Sequence, residues 1–339
     1  MLFERPASLT VAESRTYTDL SHRFTTRSPM PRQPRSFRLA GTLVSFALVL
    51  GAFGAAVGFG AARPGAQGTT GRERAMYVSV VDKDGAPVQD LSARNFVVRE
   101  DGAVREVLMA EKSEDPITIA LVVDNSQAAE PVVADVRRAL KSFVEQMGGK
   151  NPIAVTTVAE RPTILQDYTL LVPSLVRGVE RIFAVPGSGA YLMQALKDVS
   201  AGFIQRDFDR GIILAITTEG TEFSELSDQQ VVPALRESGA SLYALVFQSI
   251  RAPNQQEPNV RYRAIVLDEG PRVTGGRRVD LLTSMALDGA LKKLAAQLTN
   301  EYRITYARPE TLIPPEKVEV RVTRPGLDAR GTPIRPKRG

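Results

Sequence analysis

Between residues 115 and 299, short runs that are apolar at nearly every position alternate with longer stretches in which apolar residues recur every three or four positions. The first run is Ile117-Thr-Ile-Ala-Leu-Val-Val123. Unbroken apolar character over that length predicts a strand buried on both faces, as in a parallel sheet. Val133, Val136, Leu140, Phe143 and Met147 follow at helical spacing, and Gly148-Gly149 closes that helix. The pattern then predicts strands at Ile153–Val158, Ile212–Thr217 and Ser241–Phe247, with short ones at Ile164–Tyr168 and Val279–Leu282. Helical stripes run through Leu192, Leu196, Val199 and Phe203, over Val231–Arg236, and through Leu287, Leu291, Leu294 and Leu298. Residues 249–276, rich in Pro, Asn, Gln and Gly-Gly, predict an elaborated loop carrying one strand at Ala264–Leu267. Strands alternating with helices give an α/β fold with a doubly wound, mostly parallel sheet. Ligands of such sheets bind beyond the carboxyl ends of the strands, where strand order reverses.

The flanks read differently. Met76–Val81, Asn95–Arg99 and Val104–Ala110 have strand patterns separated by the turn dipeptides Asp84-Gly85 and Asp101-Gly102. Tyr302–Tyr306 and Val318–Val322 are two more strands, joined through a Pro-rich turn. The organisation expected is a small antiparallel β domain made of residues 75–112 plus 300–325, with the α/β domain of residues 115–299 inserted between its halves. Residues 63–74 read as a linker, and 326–339 as a flexible basic tail.

Ahead of all this, Leu39 to Ala62 contain no charged side chain, and Arg32, Arg35 and Arg38 stand just before them. The run exceeds the ~20 residues that span a bilayer core, and the arginines place the N-terminus on the cytoplasmic side. Two readings stand: an uncleaved transmembrane helix, or a signal peptide cleaved near Ala62. Either makes the protein exported, to the cell envelope or periplasm. Residues 1–38 read as a disordered basic N-terminus, and Met30 offers an alternative start to Met1.

Composition narrows the chemistry. There is no Cys, and the one His, His22, precedes the folded part. Ser-His-Asp and Cys-His catalysis and the usual structural zinc sites are thereby excluded from the rest of the chain. The net charge of +5 sits largely at the ends, with no basic stripe interleaved with aromatics, so nucleic acid is not the expected partner. No Gly-x-x-x-x-Gly-Lys-Ser/Thr loop occurs, and Gly187-Ser-Gly189 does not follow a clear strand. The first apolar strand ends in Val123-Asp-Asn-Ser-Gln-Ala128, and the run ending at Thr217 leads into Thr218-Glu-Gly220. Parallel neighbouring strands would bring Asp124 and Glu219 to one edge, with Ser126 beside them. Such oxygen donors suit Mg²⁺ or Ca²⁺. Glu219, Glu222 and Glu225 form an acidic cluster there, read as charge complementing a helix N-terminus.

With those residues in view, the chain resembles von Willebrand factor A domains, and in particular the VWFA-related proteins of Acidobacteria. The resemblance rests on Asp82-Lys-Asp-Gly-Ala-Pro-Val-Gln-Asp-Leu91, Asn95-Phe-Val-Val-Arg-Glu-Asp-Gly102, Leu298-Thr-Asn-Glu-Tyr-Arg-Ile-Thr-Tyr306 and Pro315-Glu-Lys-Val-Glu-Val-Arg-Val322, and covers about residues 75–325. It implies a von Willebrand A (Rossmann-like) fold and a metal-ion-dependent adhesion site of pattern Asp-x-Ser-x-Ser, with a Thr and an Asp on later loops. This chain keeps Asp124 and Ser126. Ala128 replaces the second Ser, Ala190 aligns with the Thr, and Glu219 stands for the last Asp. The expectation is a degenerate site, Asp124, Ser126 and Glu219, with no cofactor required and with Mg²⁺ or Ca²⁺ as the ions it would take. The function expected is a non-enzymatic binding module for an unidentified envelope protein, attached to the membrane through residues 39–62 if these are uncleaved. The alternatives are a metal-assisted hydrolase using Asp124 and Glu219, and a purely structural envelope component.

Overall fold

The computed structural model describes residues 72–334 apart from 207, 209, 249–255, 310–312, 314 and 316. The apolar run 39–62 and the readings made of it lie outside the described residues, among which no helix is long and apolar enough to cross a membrane. The first elements are strands β1 (Arg72–Val81), β2 (Phe96–Glu100), β3 (Ala103–Arg105), β4 (Val107–Lys112) and β5 (Thr118–Val123), followed by helix α1 (Val133–Met147). Then come β6 (Ile153–Thr157), β7 (Thr163–Thr169), α2 (Val172–Glu180), α3 (Leu192–Arg206), β8 (Gly211–Thr218), α4 (Asp228–Ser238) and β9 (Ala240–Phe247). The chain continues through α5 (Pro258–Thr274), β10 (Arg277–Leu281), α6 (Ala286–Leu298), β11 (Tyr302–Arg308), β12 (Val318–Val322) and β13 (Asp328–Pro333).

Strands β5 to β10 form a six-stranded sheet in the order β10-β9-β8-β5-β6-β7. All its pairings are parallel except β6 with β7. Side chains of a strand alternate between faces, so both faces of a covered sheet must be apolar. Ile119, Leu121 and Val123 pack with α1, α2 and α6, while Ala120 and Val122 pack with α3, α4 and α5. This is why β5 is apolar throughout: it sits in two cores at once. From β5 the chain winds outward through β6 and β7, then returns to β8 on the other side of β5. The reversal of strand order therefore lies between β5 and β8, and the carboxyl ends of those two strands are where such a sheet places its ligands.

The flanking segments make two antiparallel sheets, ordered β13-β1-β11-β4 and β12-β2-β3. Met76, Val78, Phe96, Val98, Ile304 and Val320, drawn from both sheets, share one core. Chain from both sides of the α/β segment contributes to each sheet: β1 pairs with β11, and β2 with β12.

Three expectations need correction. Ala264–Leu267 is not a strand but part of α5, whose buried positions Val260, Arg263, Val266, Leu267, Gly270, Pro271 and Thr274 follow the helical period. The polar residues between them, with Gly270 and Pro271, mask that period in the sequence. The tail expected from residue 326 contains β13, which pairs antiparallel with β1 from Val81↔Asp328 to Met76↔Pro333. Main-chain hydrogen bonds to an open sheet edge hold this strand, so its sequence needs no apolar alternation. The linker expected over 63–74 ends earlier than read, since β1 starts at Arg72 and extends its pairing to Arg308. The helix α2, Val172–Glu180, is a further element between β7 and the Gly187 loop.

Candidate functional site

Asp124 is the first residue beyond β5, and Thr217 and Thr218 end β8 beside it. The parallel register pairs Val123 with Ile216, so the aspartate and the two threonines meet at the switch point. The carboxylate is 3% exposed and takes four donors. Its Oδ1 accepts the Ser126 amide at 2.9 Å. Its Oδ2 accepts the Thr217 hydroxyl at 3.0 Å, the Thr218 amide at 3.0 Å and the Thr218 hydroxyl at 2.8 Å.

The charge opposite Asp124 comes from α5. Arg263 has a side chain 5% exposed, with Nη2 at 3.8 Å from Asp124 Oδ2 and Nε at 3.7 Å from Glu222 Oε2. Its Nη1 donates to the Gly220 carbonyl at 2.9 Å, and its Nη2 donates to Thr217 Oγ1 at 2.5 Å and to the Thr218 carbonyl. Glu222 is buried as well; its Oε1 accepts the Ser224 amide at 3.2 Å and the Met193 amide at 3.4 Å. It thus meets the first turn of α3, together with Ser224 Oγ, which accepts the Gln194 amide at 3.0 Å. The acidic residue that complements a helix N-terminus does so for a helix distant in sequence from it.

Burial by itself pushes the Asp124 carboxyl up, but the Arg263 guanidinium and the amides of Thr218 and Ser126 overturn this and hold it below the usual carboxylate value. Burial raises Glu222, with Arg263 and Ser224 opposing the rise. For Asp124 the sign is that of a depressed acid: its stabilisation is present above the unfolded-state value and is lost as pH falls through the folded one. The acid limb of a plot of melting temperature against pH is therefore expected to flatten in Asp124→Asn. An unchanged limb would mean that Asp124 is not held ionised.

Asn125 links the surrounding loops. Its Oδ1 accepts the amides of Val158 at 3.2 Å and Ala159 at 2.9 Å, and its Nδ2 donates to the Phe183 carbonyl at 3.0 Å. Ala190 is fully buried between neighbouring segments, bridging Ala159 and Glu222.

Of the expected ligands, Asp124 and Ser126 are brought together, and the Ser126 side chain is buried with them. Glu219 follows Thr218 at the end of β8, half-buried, with its amide donating to the Phe247 carbonyl at 3.1 Å. The carboxylate that Arg263 faces beyond Asp124 is Glu222. Among the described residues no group of three His, Asp or Glu is placed to hold a metal ion. A divalent ion needs oxygens at ~2 Å, so one bound to Asp124 Oδ2 would lie no more than about 6 Å from the guanidinium. Repulsion there is on the order of 5 kcal/mol at the effective dielectric of a protein site. Ala128 and Ala190 supply no side-chain oxygen to offset it. These residues do not fit Mg²⁺ or Ca²⁺. Arg263 escaped the sequence reading, and Glu222 entered it only as helix-terminal charge, although one signal for Arg263 was present: a charged residue at a position that the helical period of α5 assigns to the buried face.

Exposed apolar side chains rim the same edge. Phe183 is 60% exposed, Phe223 45%, Leu282 80% and Met285 83%. Phe223 is on the loop after β8, and Leu282 and Met285 are on the loop after β10. The Asn125 bond places Phe183 beside the end of β5. Arg137 of α1 lies 4.8 Å over the Phe183 ring, and Ser284 donates to Asp135, two residues away near the same helix end.

No family model matches the chain, and no curated protein matches it. Similar solved structures exist. BatB, a conserved hypothetical protein from Bacteroides thetaiotaomicron, is 13% identical, with 54% of this chain and 100% of that one covered at a TM-score of 0.41. A von Willebrand factor type A structure from Catenulispora acidiphila is 10% identical over 78% of this chain and 72% of its own, at 0.44. The von Willebrand factor domain of the type V pili tip protein Mfa5 from Porphyromonas gingivalis is 9% identical over 54% and 95%, at 0.41. The class of fold follows from this chain's own strand order: a mixed α/β protein with one largely parallel sheet and separate antiparallel sheets.

Proposed function

We propose that this protein is a von Willebrand A-like binding module, exported to the cell envelope, that holds another protein at the carboxyl edge of its parallel sheet and is not an enzyme. The observation that carries this is the rim of Phe183, Phe223, Leu282 and Met285, four large apolar side chains exposed around the switch point. Aromatic and Met side chains clustered at an exposed site are the usual anchors of protein interfaces. The charged groups beneath the rim support the same reading. Asp124 spends its oxygens on Thr217, Thr218 and Ser126 and faces Arg263, an arrangement that fixes loops and does not prepare a nucleophile or base. Export rests on the uncharged run Leu39–Ala62 behind Arg32, Arg35 and Arg38.

The test is capture from solubilised envelope fractions on immobilised full-length protein, comparing wild type with Phe183→Ser/Leu282→Ser/Met285→Ser. Recovery of the partner is expected to fall about tenfold or more, because anchor residues dominate interface energies. The melting temperature should stay put, since these side chains contribute little to the core. Equal recovery from both proteins would rule out the carboxyl edge as the binding surface.

A further inference from the structure

We infer that Arg263 is the resident cation of the carboxyl edge, doing with a covalently held guanidinium what a divalent ion would do there, so that the edge keeps its shape without metal. This concerns the internal order of the edge and stands whether or not the rim binds a partner. The guanidinium reaches two carboxylates, Asp124 and Glu222, and three oxygens at the end of β8 and just beyond it: Thr217 Oγ1 and the carbonyls of Thr218 and Gly220. These belong to two segments that the pairing of β5 with β8 does not tie together beyond Val123 and Ile216. Gathering oxygens from separate loops around one positive centre is the structural work of a bound cation. Arg suits it because its charge persists at every working pH and its fork of N–H groups satisfies several acceptors at once. The lever is the fold: α5 crosses the sheet face so that its buried stripe, continuing through Val260, Val266 and Leu267, delivers residue 263 to the switch point. A metal would compete with a charge that cannot dissociate.

The experiment measures melting temperature and calorimetric heat for the full-length protein titrated with MnCl₂, MgCl₂ or CaCl₂, against a chelator control. Wild type is expected to show no saturable heat and no shift. Arg263→Ala removes the resident charge; it should melt below wild type and recover by about 5 °C on saturation with Mn²⁺. That recovery should disappear in Arg263→Ala/Asp124→Asn. Saturable metal binding by wild type, or an Arg263→Ala protein that folds and ignores all three ions, would overturn the inference. If Arg263→Ala does not fold, Ala128→Ser/Ala190→Thr decides. With Arg263 in place, these restored hydroxyls should still give no metal heat. A saturable heat would show that missing oxygens, and not the guanidinium, exclude the ion.

Discussion

Replacing Arg210 by Met is expected to lower stability by about 3–5 kcal/mol, the cost of leaving a buried charge without its partner. Arg210 and Glu301 form a 2.7 Å ion pair with side chains 4% and 7% exposed. Arg210 also donates to the Asp115 carbonyl at 3.0 Å and the Leu298 carbonyl at 2.5 Å, and lies 4.9 Å over the Tyr77 ring. The Tyr77 hydroxyl in turn donates to Asp115 at 2.8 Å. Asp115 is on the passage from β4 to β5, and Glu301 is on the passage from α6 to β11. One guanidinium therefore fastens both crossings between the antiparallel sheets and the α/β segment. For a unit of this size the loss corresponds to about 10 °C in melting temperature. Arg210→Met/Glu301→Leu should recover most of it, because an apolar pair needs no compensation.

The pH dependence carries a defined sign. Burial pushes Glu301 above its usual value of 4.5, with Arg210 opposing. An acid whose folded value is raised contributes stability below the unfolded value and loses it as pH rises through the folded one. In Arg210→Met nothing opposes the burial, so its deficit should be largest near neutrality and shrink as the pH approaches the usual glutamate range. Thermal melts across pH measure both effects. A deficit that does not vary with pH would show that the uncompensated charge on Glu301 is not its cause.

Gly276→Ala is expected to cost about 3 kcal/mol, at the upper end of overpacking effects. A Cβ at residue 276 would stand 1.9 Å from the Leu242 carbonyl oxygen and 2.6 Å from its carbon, both in the backbone of β9. Backbone in a central strand has nowhere to move. Gly275, just before it, ends α5 at φ +80°, where L side chains are strained, and its Cβ would meet the Gly331 carbonyl at 2.3 Å. The pair thus lets α5 stop and β10 begin in the narrow space between β9 and β13. Gly289→Ala in α6 is the control: a Cβ there meets nothing within 4 Å. It should stabilise by about 0.5–1 kcal/mol through helix propensity. Denaturant unfolding should therefore shift the two midpoints in opposite directions. A Gly276→Ala midpoint equal to wild type would contradict the close approach.

Much of this architecture can be read locally. The unbroken apolar runs of β5, β8 and β9 report strands buried on both faces, and the stripes of α1, α3 and α6 report helices with one buried side. The aspartate at the end of β5 marks the ligand-facing edge before any coordinate is known. Where the readings fail, the deciding contacts are distant in sequence. Ala264–Leu267 looks like a strand because four neighbours are considered, whereas the helical period of α5 spans seventeen residues. The residues of β13 carry no apolar alternation, and the strand exists because the edge of β1 offers unpaired backbone groups.

The sequence by itself determined the doubly wound α/β character, the position of Asp124 and Ser126 at its edge, and the alanines at 128 and 190, whose side chains offer no oxygen. Each is a property of side-chain type and spacing along the chain. Only the tertiary structure decided what faces Asp124. Arg263 lies 139 positions further on, reached through four strands and four helices, and its role depends on how α5 lies across the sheet. Periodicity assigns a residue to a face, but the charge it meets there is fixed by packing between elements. Glu222, read in the sequence as charge complementing a helix N-terminus, meets the first turn of α3, and only folding shows that the helix is a distant one and that Glu222 is also a buried partner of Arg263.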